Sequence, residues 1–288
     1  MGIQRSLLLL WVMALCWSSS TAYNVLFTGE TLANQSSIGF PEKGSFVMQL
    51  DCNLVLYNEN GVPLFHTNTA GFGRRNCILS FTNNGRLVVR TPAGRTLWQS
   101  PNFNSPIGDY AAVFRPDGDV AIYGPVVWSS FARGESMETA QKQQQQPEAT
   151  GEVQELLGNR PMYNNMLFSG QILSGNRSIK DLSSLEVTND CQLLLTVESG
   201  LRIVLGGLKG EDCFARLNFR GQLTLLDDTY AHKLAWPTTA NPTRGEYVLI
   251  LRGSAALIYG PLAWSTNVRG VPNPQAIVNL MLPSDAKK

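Results

Sequence analysis

The sequence predicts an all-β protein built as two tandem domains, and three observations carry that reading. Charged residues make up only 16% of the 288, while glycine occurs 26 times, a balance that suits short strands and many turns. Short runs of alternating polarity are punctuated by turn sequences such as Asn58-Glu59-Asn60-Gly61, Asn83-Asn84-Gly85 and Pro116-Asp117-Gly118, and no stretch between them has a helical period. Third, the chain repeats itself.

The repeat is long and keeps its order. Asn24-Val25-Leu26-Phe27-Thr28-Gly29 returns as Asn165-Met166-Leu167-Phe168-Ser169-Gly170, and Asp51-Cys52 as Asp190-Cys191. Gly108-Asp109-Tyr110 returns as Gly245-Glu246-Tyr247, and Ile122-Tyr123-Gly124-Pro125 with Trp128-Ser129 as Ile258-Tyr259-Gly260-Pro261 with Trp264-Ser265. The offset drifts only from 141 to 136 residues, the mark of a tandem duplication. Domains are placed at 23–130 and 163–266. Inside the first, a shorter unit of about thirty residues recurs, each ending near an aromatic: Phe65, Trp98 and Trp128. Three small sheets around a shared core, each contributing one aromatic, is the simplest packing.

Outside the domains, residues 1–22 read as a secretory signal. Arg5 precedes the apolar run from Leu7 to Trp17, and small residues at Ser20 and Ala22 suit cleavage before Tyr23. The run is shorter than the ~20 residues a membrane span needs. Segment 131–162 contains Gln143-Gln144-Gln145-Gln146 and several Glu, and reads as a solvated linker open to proteolytic cleavage. Residues 267–288 read as a tail or propeptide. Asn34 and Asn176 begin the sequons Asn34-Gln35-Ser36 and Asn176-Arg177-Ser178, both candidates for glycosylation.

Charge and cysteine content narrow the function. Arg5 is the only charge in the first 22 residues, so the remainder balances at 22 basic against 22 acidic and offers no footprint for nucleic acid or an anionic membrane. Cys16 leaves with the signal. Cys52, Cys77, Cys191 and Cys213 remain, an even set in a secreted chain, which implies disulfides. Four cysteines allow three pairings, of which the repeat favours Cys52–Cys77 and Cys191–Cys213. No Cys-x-x-Cys spacing exists and the chain has two histidines, His66 and His232, so neither a metal site nor a nucleophile–histidine pair is indicated. No cofactor is expected, and the protein is not read as an enzyme.

The most informative stretch is Gln49-Leu50-Asp51-Cys52-Asn53-Leu54-Val55-Leu56-Tyr57. If it forms one strand, Leu50, Cys52, Leu54 and Leu56 face the core, while Gln49, Asp51, Asn53, Val55 and Tyr57 share the other face. Two amides, a carboxylate, a phenol and an apolar floor suit a neutral polyhydroxy ligand. The same stretch, Q-x-D-x-N-x-V-x-Y, resembles the mannose-site signature of the monocot mannose-binding (bulb-type) lectins, matching it at all five positions. That resemblance, which the tandem repeat extends over both domains, implies the β-prism II fold: in each domain, three four-stranded antiparallel sheets with pseudo-threefold symmetry. It further implies that Asp51 and Asn53 hold the axial 2-hydroxyl of mannose, Gln49 the 3-hydroxyl and Tyr57 the 4-hydroxyl, with Val55 against the ring carbons.

One such site per sheet gives six positions. The second reads Thr82, Asn84, Arg86, Val88, Arg90, and the third Arg115, Asp117, Asp119, Ala121, Tyr123 on what is read as an exposed strand. In the second domain the rows are Thr188, Asp190, Gln192, Leu194, Thr196, then Asn218, Arg220, Gln222, Thr224, Leu226, then Leu251, Gly253, Ala255, Leu257, Tyr259. None of these five keeps the set. Leu194 and Leu226 are read as exposed apolar residues that could contact a protein or the other domain.

The expected function is a lectin for mannose or mannose-rich glycans, with one working site, acting in plant defence. The competing reading is a storage or protein-interaction protein with little sugar binding. Expected partners are mannose-containing glycans or glycoproteins, and further copies in a homo-oligomer or a dimer of processed two-chain units. The expected location is the secretory pathway, secreted or vacuolar.

Overall fold

The computed structural model describes residues 24–130, except 34, 41, 73–75 and 102–104, and residues 165–266, except 175–177 and 231–232. The signal, linker, tail and both sequon asparagines lie outside the described residues. Among those described, 24 short strands form six four-stranded antiparallel sheets, and no helix occurs.

Two sheets of the first repeat are self-contained. One orders β3 (Ser37–Phe40), β4 (Gly44–Met48), β5 (Leu54–Asn58) and β6 (Pro63–His66); another orders β2 (Thr31–Ala33), β7 (Ile78–Phe81), β8 (Leu87–Arg90) and β9 (Thr96–Gln99). The second repeat matches them. There β15 (Ser178–Lys180), β16 (Ser184–Val187), β17 (Gln192–Thr196) and β18 (Arg202–Gly207) make one sheet, and β14 (Ile172–Ser174), β19 (Phe214–Leu217), β20 (Leu223–Leu226) and β21 (Lys233–Trp236) the other. Alternation explains each: Phe46 and Met48, Leu54 and Leu56, Leu79 and Phe81, Leu87 and Val89 point inward and are buried.

The third sheets do not close within their own repeat. In the first, β1 (Val25–Phe27), β10 (Ala111–Phe114) and β11 (Val120–Tyr123) take as their fourth strand β24 (Leu262–Ser265), from the end of the second repeat. In return β12 (Val126–Ser129) leaves the first repeat and pairs with β23 (Ala255–Tyr259), beside β22 (Val248–Arg252) and β13 (Met166–Phe168). The exchange is reciprocal down to single bonds. Ser130 N–H donates to Ala256 O and Thr266 N–H to Val120 O, each at 2.9 Å, and Gly124 and Gly260 N–H reach Pro261 O and Pro125 O at 3.4 Å.

This corrects the expected aromatic trio. Trp128 packs against the core of the second repeat, with Trp236 and Leu205. Its place in the first repeat is filled by Trp264, which is 3% exposed. The rings of Phe65, Trp98 and Trp264 meet edge to face at 6.0 to 6.2 Å between centroids, one from each sheet, a geometry that aromatic quadrupoles favour.

Each core is framed by a repeated tyrosine. Tyr110 donates its hydroxyl to Pro106 O at 2.6 Å and Tyr247 to Thr243 O at 2.7 Å. Gly85 and Gly221, both at positive φ, lie so close that a Cβ would stand 2.7 Å from the corresponding ring. That is why Gly85 recurs as Gly221. The two expected disulfides, Cys52–Cys77 and Cys191–Cys213, are present, one in each core.

Between the repeats lies a third apolar cluster, with Val25, Phe27, Val113, Ala121 and Tyr123 from one side and Met166, Phe168, Ile250, Leu257 and Tyr259 from the other. Two charge clusters flank it. Arg115 reaches Asp117 and Glu246, each at 3.0 Å. Arg252 lies 3.4 Å from Asp109 and stacks 4.0 Å over the Phe27 ring. Burial pushes the carboxyls of Glu30 and Asp109 above the usual range, only partly offset by Arg252.

Two outcomes follow from the exchange. Trp264→Ala, a change in the last described strand, is expected to destabilise the first repeat by ~3–5 kcal/mol. Hydrogen exchange should show it as lost protection in β6 and β9; protection lost only in the second repeat would refute the assignment. The second concerns Glu30, whose carboxylate accepts the Phe27 N–H at 2.8 Å, while its counterpart Gln171 does the same for Phe168 with an amide. A carboxyl raised in the folded state weakens folding above its raised pKa, and the penalty fades as pH falls towards the ordinary carboxyl value. Glu30→Gln should therefore raise the melting temperature at neutral pH and flatten its rise on mild acidification, as a pH series of thermal melts would show.

Candidate functional site

The intact five-residue set lies on the outer side of the β3–β6 sheet, but not on one strand. Strand β4 ends at Met48 and β5 begins at Leu54. Between them Cys52 N–H donates to Gln49 O at 3.1 Å and Gln49 N–H to Asn53 O at 2.9 Å, closing a hairpin turn. Cys52 takes the left-handed conformation, φ 73°, at the position where such turns favour glycine. Asp51 Oδ1 accepts the Asn53 N–H at 2.9 Å, a local bond of the kind that fixes Asx turns. Gln49 and Asp51 therefore belong to the turn and Val55 and Tyr57 to β5, with Asn53 at the junction. The turn also moves Leu50 out of the core, leaving it 42% exposed.

The turn still brings all five together. Gln49 Nε2 donates to the Tyr57 hydroxyl at 2.7 Å. Val55, only 3% exposed, forms the floor. Asp51 is exposed at the rim, while Gln49, Asn53 and Tyr57 are half-buried. The result is a shallow face with one carboxylate, two amides and a phenol converging over an apolar side chain.

Two residues that the sequence reading missed orient it. Thr69 donates its hydroxyl to Cys52 O at 2.6 Å and its N–H to Asn53 Oδ1 at 3.3 Å. The Thr67 hydroxyl accepts the Leu54 N–H at 3.1 Å, and its own proton lies between Thr69 Oγ1 at 2.6 Å and Asn53 Oδ1 at 3.1 Å. With its carbonyl oxygen held from below, Asn53 presents its NH2 to the face. The signal was available in principle: a hydroxyl recurs at this place in other sheets, where Ser100 accepts the Leu87 N–H and Thr266 the Val120 N–H.

The other positions fare differently. In the β2–β9 sheet Thr82 donates to Asn84 Oδ1 at 2.5 Å and accepts the Arg86 N–H at 3.2 Å, so its polar groups serve their own turn. In the β14–β21 sheet Asn218 Oδ1 takes the Arg220 and Gln222 N–H groups, and Gln222 donates to Pro237 O at 3.0 Å. The third position of each repeat is buried between the repeats. Arg115 is 6% exposed, Tyr123 and Tyr259 are fully buried, and Asp119 accepts the Thr266 hydroxyl at 2.9 Å. The expectation of an exposed strand there is thus corrected: these faces are the interface. Leu194 is corrected likewise, since it is 2% exposed, and Leu226 is half-buried.

No protein-family model matches the chain. It is 38% identical over 272 residues to mannose-specific lectin 2 of Crocus vernus, covering 92% of this chain and 95% of that one. It is 38% identical over 249 residues to mannose-specific lectin CEA of Colocasia esculenta, covering 85% and 84%. The structure is similar to the fetuin-binding two-domain lectin of Scilla campanulata, with a TM-score of 0.68 at 26% identity over 84% of this chain and 99% of that one. The relatives and the two-repeat fold together place the chain among the lectins. The chain belongs to the monocot mannose-specific lectin family, in its two-domain form.

The support beneath Asn53 makes a prediction. Thr67→Val keeps the shape but leaves the buried Leu54 N–H unpaired, which costs ~1–3 kcal/mol. Chemical denaturation should show that loss, whereas an unchanged midpoint would mean that the hydroxyl carries none of the turn.

Proposed function

We propose that this protein binds terminal mannose through one site, the face formed by Gln49, Asp51, Asn53, Val55 and Tyr57. The observation that carries it is the contrast among six equivalent positions: one keeps the whole set converged over Val55, two are consumed by the interface, two have spent their polar groups on their own turns, and the sixth has Thr188 and Thr196 in place of the glutamine and tyrosine. Two mannose-specific relatives at 38% identity support the ligand. An acceptor-only carboxylate, two amides and a phenol can pair several hydroxyls at once, and a sugar that leaves them unpaired is rejected.

A single shallow face binds a monosaccharide near millimolar, about 4 kcal/mol. Useful avidity then comes from assembly of several two-repeat units on a multivalent glycan, so we infer a homo-oligomer. The reading is of binding without chemistry. Glycosidases set two carboxylates about 5–9.5 Å apart across an open site, whereas Asp117 and Asp119 are tied to Arg115 and Thr266 at the interface. The signal-like N-terminus and the two disulfides support passage through the secretory pathway.

A storage or interaction role is favoured by the loss of five sites in six, and one experiment separates the two. Calorimetric titration with mannotriose should give close to one site per chain, and no heat in a folded Asp51→Ala variant. Absence of heat from the unaltered protein would leave the storage reading.

A further inference from the structure

The chain is neutral as a whole, but its charges are not evenly spread. Residues 60–108 contain five arginines, Arg74, Arg75, Arg86, Arg90 and Arg95, and no aspartate or glutamate. The matching stretch of the second repeat, 199–245, mixes six lysines and arginines with four acids. An even balance over the whole sequence therefore conceals a basic segment, and the expectation drawn from net charge alone does not hold for this part of the surface.

Strands β7, β8 and β9 come from this segment, and their register gathers its arginines on one face. Leu87 and Val89 belong to the core, so Arg86, Val88 and Arg90 point outward. Arg86 and Arg90 are four residues apart, about 13 Å along a strand. Arg95 lies in the following turn, its N–H donated to the Thr91 hydroxyl at 3.2 Å, next to Thr96, which stands opposite Arg90. The register fills the rest of the face with Thr31, Ala33, Ser80 and Gln99, all uncharged. Neighbouring acids are turned elsewhere. Glu30, just before β2, accepts the Phe27 N–H, Glu59 lies in the β5–β6 turn of another sheet, and Asp109 meets Arg252 at the seam. Arg74 and Arg75 lie outside the described residues.

Apolar side chains stand at both ends of this row. Ile78, opposite Arg90, is 38% exposed. Ile107 is 80% exposed beside the turn that precedes Arg86, where the Gly108 N–H donates to Asn83 O at 2.8 Å. A row of guanidiniums attracts anionic groups, and isoleucines at its ends can enter an apolar layer beneath them. A dissolved polyanion uses only the first property; the surface of an anionic bilayer uses both.

We propose that the outer face of the β2–β9 sheet docks this protein on anionic phospholipid bilayers, separately from the face that carries Asp51. The test is sedimentation of the full chain with vesicles of phosphatidylcholine, alone or mixed with phosphatidylserine. The mixed vesicles should carry the protein down, and added salt should release it. Arg86→Ala and Arg90→Ala, both at surface positions and checked for unchanged melting, should each lower the partition roughly fivefold. Ile107→Ser should lower it without changing its salt dependence. Arg216→Ala, at an exposed position of β19 in the second repeat, should leave it unchanged, as should Asp51→Ala, because the vesicles carry no sugar. Equal partition onto phosphatidylcholine alone overturns the proposal, as does full binding by the double variant Arg86→Ala/Arg90→Ala. Binding to soluble polyphosphate with none to the mixed vesicles overturns the lipid partner. Loss of vesicle binding in Asp51→Ala overturns the separation of the two faces.

Discussion

The reciprocal loan of one strand governs how the rest of the molecule is arranged. Each repeat has strands enough for three sheets of four, yet β12 and β24 cross over instead of closing their own third sheet, each carrying a tryptophan into the other core. Once they cross, the outer sides of the two third sheets are pressed together and their chemistry is redirected. Residues that on a free face would meet solvent become Tyr123, Ala121, Ala255, Leu257 and Tyr259 of an apolar seam, and the charges that remain are paired at its edges. Burying charge is costly unless it is partnered, and the pairing of Arg115 with Glu246 and Arg252 with Asp109 keeps that cost low. Both pairs cross between repeats, so the same contacts that hold the seam closed also set its register.

The candidate face shows a second economy. A turn that would ordinarily want glycine uses a cysteine in the left-handed region, and the disulfide it forms reaches the core. The hairpin thereby lifts Gln49 and Asp51 to the level of the β5 side chains. Below them Thr67 and Thr69 saturate one side of Asn53, which decides which end of that amide a ligand meets. In the matching sheet of the second repeat β18 ends in Gly206 and Gly207 and supplies no hydroxyl beneath Gln192.

Much of this was legible in the residues. Alternation placed the strands, the duplication gave the two halves and the favoured disulfides, and the five-position set marked the face. What failed did so for physical reasons. A period of two cannot distinguish a strand from a strand interrupted by a turn that keeps side chains on the same side, so Leu50 was assigned to the core. Trp128 and Trp264 occupy equivalent places in near-identical sequences, and local sequence carries nothing about which of two equivalent cores receives each. The burial of Arg115 and Asp119 was hidden for the same reason: a charged row reads as solvated until its partner, Glu246 in the other repeat, is brought beside it. Thr67 and Thr69 lay outside the signature, and their role depends on strand pairing.

The exchanged strands also bear on dilution. If the two repeats were separate molecules, the exchanged arrangement would form only where two of them met, and the exchanged fraction would fall as the protein was diluted. Joining them in one chain makes the meeting intramolecular, at an effective concentration fixed by the connecting segment. The exchange then no longer depends on how much protein is present. A molecule joined in this way keeps its architecture at any abundance.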